Sequence, residues 1–220
     1  MLTIESFSFN PYQENTFVVS DESGACIIID PGCYDQQERD LLMNYIAYNE
    51  LKVEQLLNTH GHIDHMLGNR FVKEKYNVPF ITHELVIPEL EATQTYGAMF
   101  GIQADPSPAP DRLVQEGDVI EFGETRLEVL FTPGHSAGHI SFFHAASNDL
   151  FSGDVLFYGS IGRTDLPGGS YPVLMESIFE KILPLGDEVN VHCGHGPATT
   201  IGQERKNNQF ILDWIQKQQS

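Results

Sequence analysis

Three imidazoles and a carboxylate crowd into His60-Gly61-His62-Ile63-Asp64-His65, directly after an apolar run at 53–58 that reads as a buried strand. Imidazole and carboxylate suit zinc, iron and manganese, and neutral histidine is the commonest metal ligand. Spaced two apart, His60 and His62 can point to one side of an extended loop. Asp64 and His65 stand at the mouth of the next segment, 66–76, which reads as a helix. The run therefore offers two adjacent ligand sets.

Further ligand types recur where other β-like runs stop. His135 follows the run at 126–131, presented by the turn Thr132-Pro133-Gly134. Asp154 follows Ser152-Gly153, and its two oxygens could bridge two cations. His195 is flanked by Gly194 and Gly196, which leave room for close approach of metal and backbone. Asp30, before Pro31-Gly32, either receives an imidazole N–H and orients a ligand or forms the turn. His139 is expected in a packed or hydrogen-bonding role. Alternation sends His192 and Cys193 to opposite faces of a strand, so one at most could reach the site, and neither is counted among the candidate ligands. His83 and His144 lack clustered partners and read as surface or capping residues.

These groups need strands to place them. Runs at 16–20 and 25–30, separated by Asp21-Glu22-Ser23-Gly24, read as a hairpin. Helical spacing follows at 35–50, then a strand at 53–58, a helix at 66–76, a short strand at 79–82 and a helix at 83–101. The three prolines within 103–111 mark a connector. Short strands at 119–122, 126–131, 140–144 and 149–152, a helix at 173–183, a strand at 188–192 and a closing helix at 203–219 complete the chain. Two sheets packed face to face with helices outside is the layered α/β arrangement this order suggests.

The 220 residues suffice for one sizeable core, so residues 1–220 are expected to form a single domain. Hydrophobic content of 41% and charged content of 20% describe an ordinary globular protein. Twelve Lys and Arg against 31 Asp and Glu leave a net charge of −19. Such a surface repels phosphate, so neither nucleic acid nor an anionic membrane is an expected partner. Cys26, Cys33 and Cys193 form no CxxC pair and leave an odd count, which fits a reducing compartment, with Cys26 in the core. The first residues lack the basic flank and apolar run of a signal peptide, and a cytoplasmic location is expected. No G-x-S-x-G elbow, Walker A loop or dinucleotide-binding glycine motif is present.

Asp30, the H-x-H-x-D-H run, His135, Asp154 and His195 together resemble the five ordered motifs of the metallo-β-lactamase superfamily, over residues 2–201. That resemblance implies an αββα sandwich with metals at one edge of the sheets. Within the superfamily the chain looks like a glyoxalase II-type hydrolase, a hydroxyacylglutathione hydrolase. Carried onto these residues, one metal would take His60, His62 and His135, and the other Asp64, His65 and His195. Asp154 would bridge them with a hydroxide, Asp154 and Asp64 serving catalysis. The implied cofactors are two divalent ions, zinc first, with iron or manganese as alternatives. β-Lactamases of the superfamily commonly place a cysteine where Asp154 stands.

The stretch from Gly153 to Asp165 is similar to the glyoxalase II substrate loop, with Arg163 in place of a lysine and Asp165 in place of a tyrosine. Arg163 either contacts substrate or pairs with Asp165. The helical region that supplies further glutathione contacts in that family has no counterpart beyond the closing helix. The resemblance thus implies a binuclear hydrolase of a small-molecule thioester such as S-lactoylglutathione. The alternative it carries is a persulfide dioxygenase holding one iron on the equivalents of His60, His135 and Asp154.

Overall fold

A computed structural model describes residues 2–99 and 101–218. Its first sheet is formed by β1 (Thr3–Phe9), β2 (Glu14–Ser20), β3 (Ala25–Ile29), β4 (Lys52–Leu57), β5 (Phe80–Thr82) and β6 (Arg112–Leu113), side by side in chain order. The second contains β7 (Val119–Phe122), β8 (Thr125–Phe131), β9 (Ile140–His144), β10 (Asp149–Gly153), β13 (Asn190–Cys193) and β14 (Thr199–Thr200), in the order β14-β13-β10-β9-β8-β7. Between β10 and β13, β11 (Leu156–Phe157) and β12 (Ser160–Ile161) make a separate ribbon.

Strand alternation builds three apolar layers. In β3, Ile27 and Ile29 point between the sheets, against Phe142 and Phe151 of the second sheet. Cys26 and Ile28 point outward, under Leu42 and Ile46 of α1 (Gln36–Tyr48) and Val72 of α3 (Asn69–Tyr76). Outside the second sheet, Leu174 and Met175 of α6 (Tyr171–Ser177) and Ile211 of α8 (Gln209–Gln218) cover Leu150 and Val191. Each fully buried aliphatic side chain contributes roughly 1.5–3 kcal/mol, so a strand buried on both faces is anchored from two layers at once. The result is helix, sheet, sheet, helix. Among the described residues no helix is long and apolar enough to cross a membrane.

Several elements differ from the sequence reading. β1, which received no assignment, pairs with β2 from Thr3 opposite Ser20 to Phe9 opposite Glu14. It is an edge strand that buries only Phe7 and Phe9, so its apolar signal is thin. The helix expected at 83–101 is a 3-10 turn, then α4 (Ile87–Glu91) and α5 (Thr93–Met99), and position 100 lies outside the described residues. Pro88, lacking an N–H, starts a new helix, and the Thr93 hydroxyl takes the Leu90 carbonyl at 2.5 Å, turning the chain at Ala92.

The helix expected at 66–76 is preceded by a separate short α2 (Ile63–Met66), and the Gly68 N–H leaves the helix to reach the Pro31 carbonyl at 2.7 Å. The closing helix splits into α7 (Ile201–Asn207) and α8, and position 219 also lies outside the described residues. At the break, buried Asn208 donates to the Ser160 carbonyl at 2.9 Å and to Glu204 at 2.8 Å, tying the ribbon down at the expense of helical continuity.

Candidate metal centre

Strand direction decides where the candidate ligands meet. β3, β4 and β5 run parallel, and β8 and β10 both run antiparallel to β9, which makes β8, β10 and β13 parallel to one another. Asp30, His60, His135, Asp154 and His195 therefore all leave their strands at carboxyl ends, along one edge of the sandwich. Backbone bonds close the two sheets there: the Ile140 N–H donates to the Thr59 carbonyl at 2.9 Å, and the Asn15 N–H to the Gly194 carbonyl at 2.7 Å.

Two three-residue groups form at this edge. His60, His62 and His135 bring ligand atoms within 4.8 Å of one another, as do Asp64, His65 and His195. In the second group His195 Nε2 lies 3.1 Å from Asp64 Oδ2 and 3.3 Å from His65 Nε2. Asp154 sits between the groups. Its Oδ1 is 3.4 Å from His65 Nε2, and its Oδ2 is 3.4 Å from His135 Nε2 and 3.5 Å from His195 Nε2. A side chain on residue 194 would not fit, because a Cβ there would lie 2.2 Å from Asp154 Oδ1.

The opposite edge of four of these five rings is committed. Nδ1 of His60 meets Thr59 Oγ1 at 3.0 Å, and that hydroxyl donates to Asp30 Oδ2 at 2.6 Å. Nδ1 of His65 is 3.2 Å from the same carboxylate, while Nδ1 of His135 donates to the Arg163 carbonyl at 2.8 Å and that of His195 to the Tyr12 carbonyl at 3.2 Å. Committing Nδ1 leaves Nε2 of His60, His65, His135 and His195 turned to the centre, the outer-partner arrangement that fixes ligand orientation in metal sites. Asp30 also belongs to a geometric cluster with His60 and His65. Its Oδ1, however, accepts from the Thr59 N–H at 2.7 Å and its Oδ2 is engaged as above, so it orients these rings.

His60 Nε2, His135 Nε2 and Asp154 Oδ1 are buried without a hydrogen-bond partner. Leaving such atoms unpaired costs about 1–3 kcal/mol each, and converging imidazole and carboxylate donors are what a divalent cation takes up. The donor set fits. Burial pushes the His60 pKa well below its ordinary value and His62 down to about 3, so both are neutral, the ligating form. Burial opposes charge on His65 too, but Asp154 and Asp64 outweigh it and hold its pKa well above the usual value. Asp154 is held well below the carboxylate range, chiefly by His65 against the cost of burial.

The remaining histidines do other work. His139 is buried, donates to Thr132 and accepts the Asp154 N–H at 3.1 Å, supporting that carboxylate's backbone. His83 accepts the Leu85 N–H at 3.2 Å, His144 bonds Ser147, and His192 bonds Asp149, all away from the two groups.

A cavity of about 500 Å³ opens over the centre, and His62, Asp64, His135, Asp154 and His195 all reach its surface. Its walls are largely apolar, with Ile63, Tyr96, Met99, Phe157 and Leu166 prominent. Arg163 also lines it, but its guanidinium is 60% exposed and makes a two-point ion pair with Asp165 at 2.7 and 2.8 Å. The pairing and the cavity position coexist.

A family profile described as the Metallo-beta-lactamase superfamily matches residues 9–195. This chain belongs to that superfamily. GloC of Haemophilus influenzae, a hydroxyacylglutathione hydrolase, is 36% identical over 212 residues, covering 96% of this chain and 98% of the relative. Among solved structures, BLEG-1, a B3 metallo-β-lactamase, shares 34% identity at a TM-score of 0.88, over 95% of this chain and 99% of its own. TTHA1623, solved in a di-iron-bound form, shares 36% identity at a TM-score of 0.83, over 94% and 99%.

The sequence motifs of this metallo-β-lactamase superfamily member did not disclose every residue at the centre. Thr59, which relays Asp30 to His60, carries only the weak signal of preceding a histidine. Tyr12 and Arg163 hold His195 and His135 through backbone carbonyls, to which no side-chain pattern points. Glu89 lines the cavity from α4, inside a stretch that reads as an ordinary helix.

Proposed function

We propose that this metallo-hydrolase superfamily member is a binuclear hydrolase of thioesters, with S-lactoylglutathione-like compounds as its substrate class. The position of Asp154 carries this reading. One carboxylate reaches toward His65 with one oxygen and toward His135 and His195 with the other, between two separate three-ligand groups. The likeness to GloC supports the thioester.

When bound, two divalent cations supply Lewis acidity for a carbonyl and a water made nucleophilic near neutral pH. His60, His62 and His135 would hold one, Asp64, His65 and His195 the other, and Asp154 both. Zinc is the first candidate, with iron and manganese after it. Asp30 and Thr59 keep the imidazoles aimed, and the largely apolar cavity wall suits an acyl group. A departing thiolate needs no strong acid, since a thiol pKa is about 8.5. Three buried free thiols support a reducing, cytoplasmic setting, and the net charge of −19 argues against nucleic acid or anionic membrane as a partner.

The likeness to BLEG-1 favours a second reading, opening of a β-lactam amide at the same centre. One set of assays separates the candidates: thiol release from S-lactoylglutathione, β-lactam hydrolysis, oxygen uptake with glutathione persulfide, and metal content. Thiol release without oxygen uptake, at about two metals per chain, is expected. Turnover of a β-lactam alone, or oxygen uptake at one iron per chain, would replace the thioester reading.

A further inference from the structure

We propose that Glu89 is a positioning residue for the His60, His62 and His135 group: its carboxylate fastens the loop bearing two of these ligands to the loop bearing the third, and so sets that group's hold on a cation. The proposal rests on reading the group as a metal site. α4 lies in the connection between β5 and β6, outside both sheets, yet Glu89 reaches down to the centre's edge. Its Oε2 accepts from the Gly61 N–H at 2.9 Å and from Ser136 Oγ at 3.3 Å. Gly61 stands between His60 and His62, and Ser136 follows His135. One oxygen therefore spans the two loops that supply the whole group.

The approach is close enough to dictate residue 61. A Cβ there would lie 2.5 Å from Glu89 Oε2 and 2.9 Å from Val86 Cγ1, so only glycine lets the segment settle onto the loop. Ser136 is buried, and its hydroxyl also accepts the Gly138 N–H at 3.4 Å, which extends the fastening through the Pro-Gly-His-Ser turn. Burial pushes the Glu89 carboxyl up to about 7, with the bonds from Ser136 and Gly61 offsetting part of that cost. A dication on the neighbouring imidazoles would favour the ionised form and so tighten both bonds. Side chains that aim metal ligands in this way typically change affinity 10–100-fold when removed.

The test uses metal-free full-length protein reloaded with Zn²⁺ or Co²⁺ against a chromophoric chelator, with no substrate present. Glu89→Ala should weaken one of the two cations about 10–100-fold and leave the other nearly unchanged. Glu89→Gln keeps a carbonyl oxygen for both donors and should stay within about threefold of wild type. In a His195→Ala background, which strips the other group of a ligand, Glu89→Ala should weaken the cation that remains. A role confined to general packing would lower the thermal midpoint of the metal-free protein and weaken both cations alike, which overturns the proposal, as does unchanged binding of both. Wild-type protein that saturates at one cation would overturn the binuclear reading instead, and the Glu89→Ala against Glu89→Gln comparison is then read on that single cation.

Discussion

The two ligand groups differ in the charge that surrounds their imidazoles. The His60, His62 and His135 group consists of imidazoles that burial keeps neutral, and the inward nitrogens of His60 and His135 have no hydrogen-bond partner. The Asp64, His65 and His195 group can satisfy itself: His65, flanked by Asp154 and Asp64, takes a proton, and His195 bonds Asp64. The first group thus offers neutral imidazoles, whereas in the second the flanking carboxylates favour a proton on His65.

The most severe way to break this comparison is to remove what both groups share. Asp154→Ala should lower metal content from about two per chain toward zero, because the single bridge serves both sites. Atomic absorption on purified protein checks it, and retention of two tightly held metals would show that the carboxylate is not a bridge.

Asp30 touches both groups unequally, through the Thr59 hydroxyl to His60 and directly to His65. Asp30→Ala should weaken both cations within about 10–100-fold, the one on His65 more. Stepwise chelator competition gives the two constants, and equal losses would erase the distinction between direct and relayed support.

Acid should separate the groups. The His65 pKa is raised in the folded protein, so its protonated form contributes stability that is full below the ordinary value near 6.5 and is lost as pH rises through the raised value. His62, lowered to about 3, behaves oppositely: its neutral form contributes stability above 6.5 that is lost as pH falls toward 3. Protons therefore compete with metal at His65 well before they do at His62. Dialysis of the loaded protein from about pH 8 to pH 6 should release the second group's cation first, and simultaneous release would contradict the contrast. Metal-free protein should lose stability on further acidification, seen as a falling thermal midpoint.

The smallest effect is expected at Arg163. Its pairing with Asp165 is exposed and screened by solvent, so Arg163→Ala should raise KM for an anionic thioester no more than about fivefold and leave metal content intact. The backbone carbonyl that holds His135 survives the change. Parallel kinetics on a charged and a neutral thioester decide the matter: equal changes on both would remove the guanidinium from substrate recognition.

The layered sheets were legible because strands such as 25–29 are continuous apolar runs with turn residues at their ends. Helix breaks were not: Asn208 interrupts helical periodicity through a bond to Ser160 that depends on where the chain folds back, and Thr93 through a local bond to Leu90 that apolar spacing does not reveal. The seven candidate ligands could be named because each side chain displays its donor type, four of them just past a strand end and His62, Asp64 and His65 crowded into the run that follows His60. Their division into a neutral and a charged group could not, because burial and the spacing of Asp154 from His65 exist only after the two sheets dock.

The amino-acid sequence by itself determined the donor atoms and the strand ends that present them. Tertiary structure decided which imidazole nitrogen faces inward and which neighbours each oxygen of Asp154 approaches. Those choices rest on partners far along the chain, such as the Tyr12 carbonyl 183 residues from His195 and the Glu89 carboxylate 28 residues from Gly61. A backbone carbonyl has the same chemistry at every residue, so only the path of the folded chain selects it.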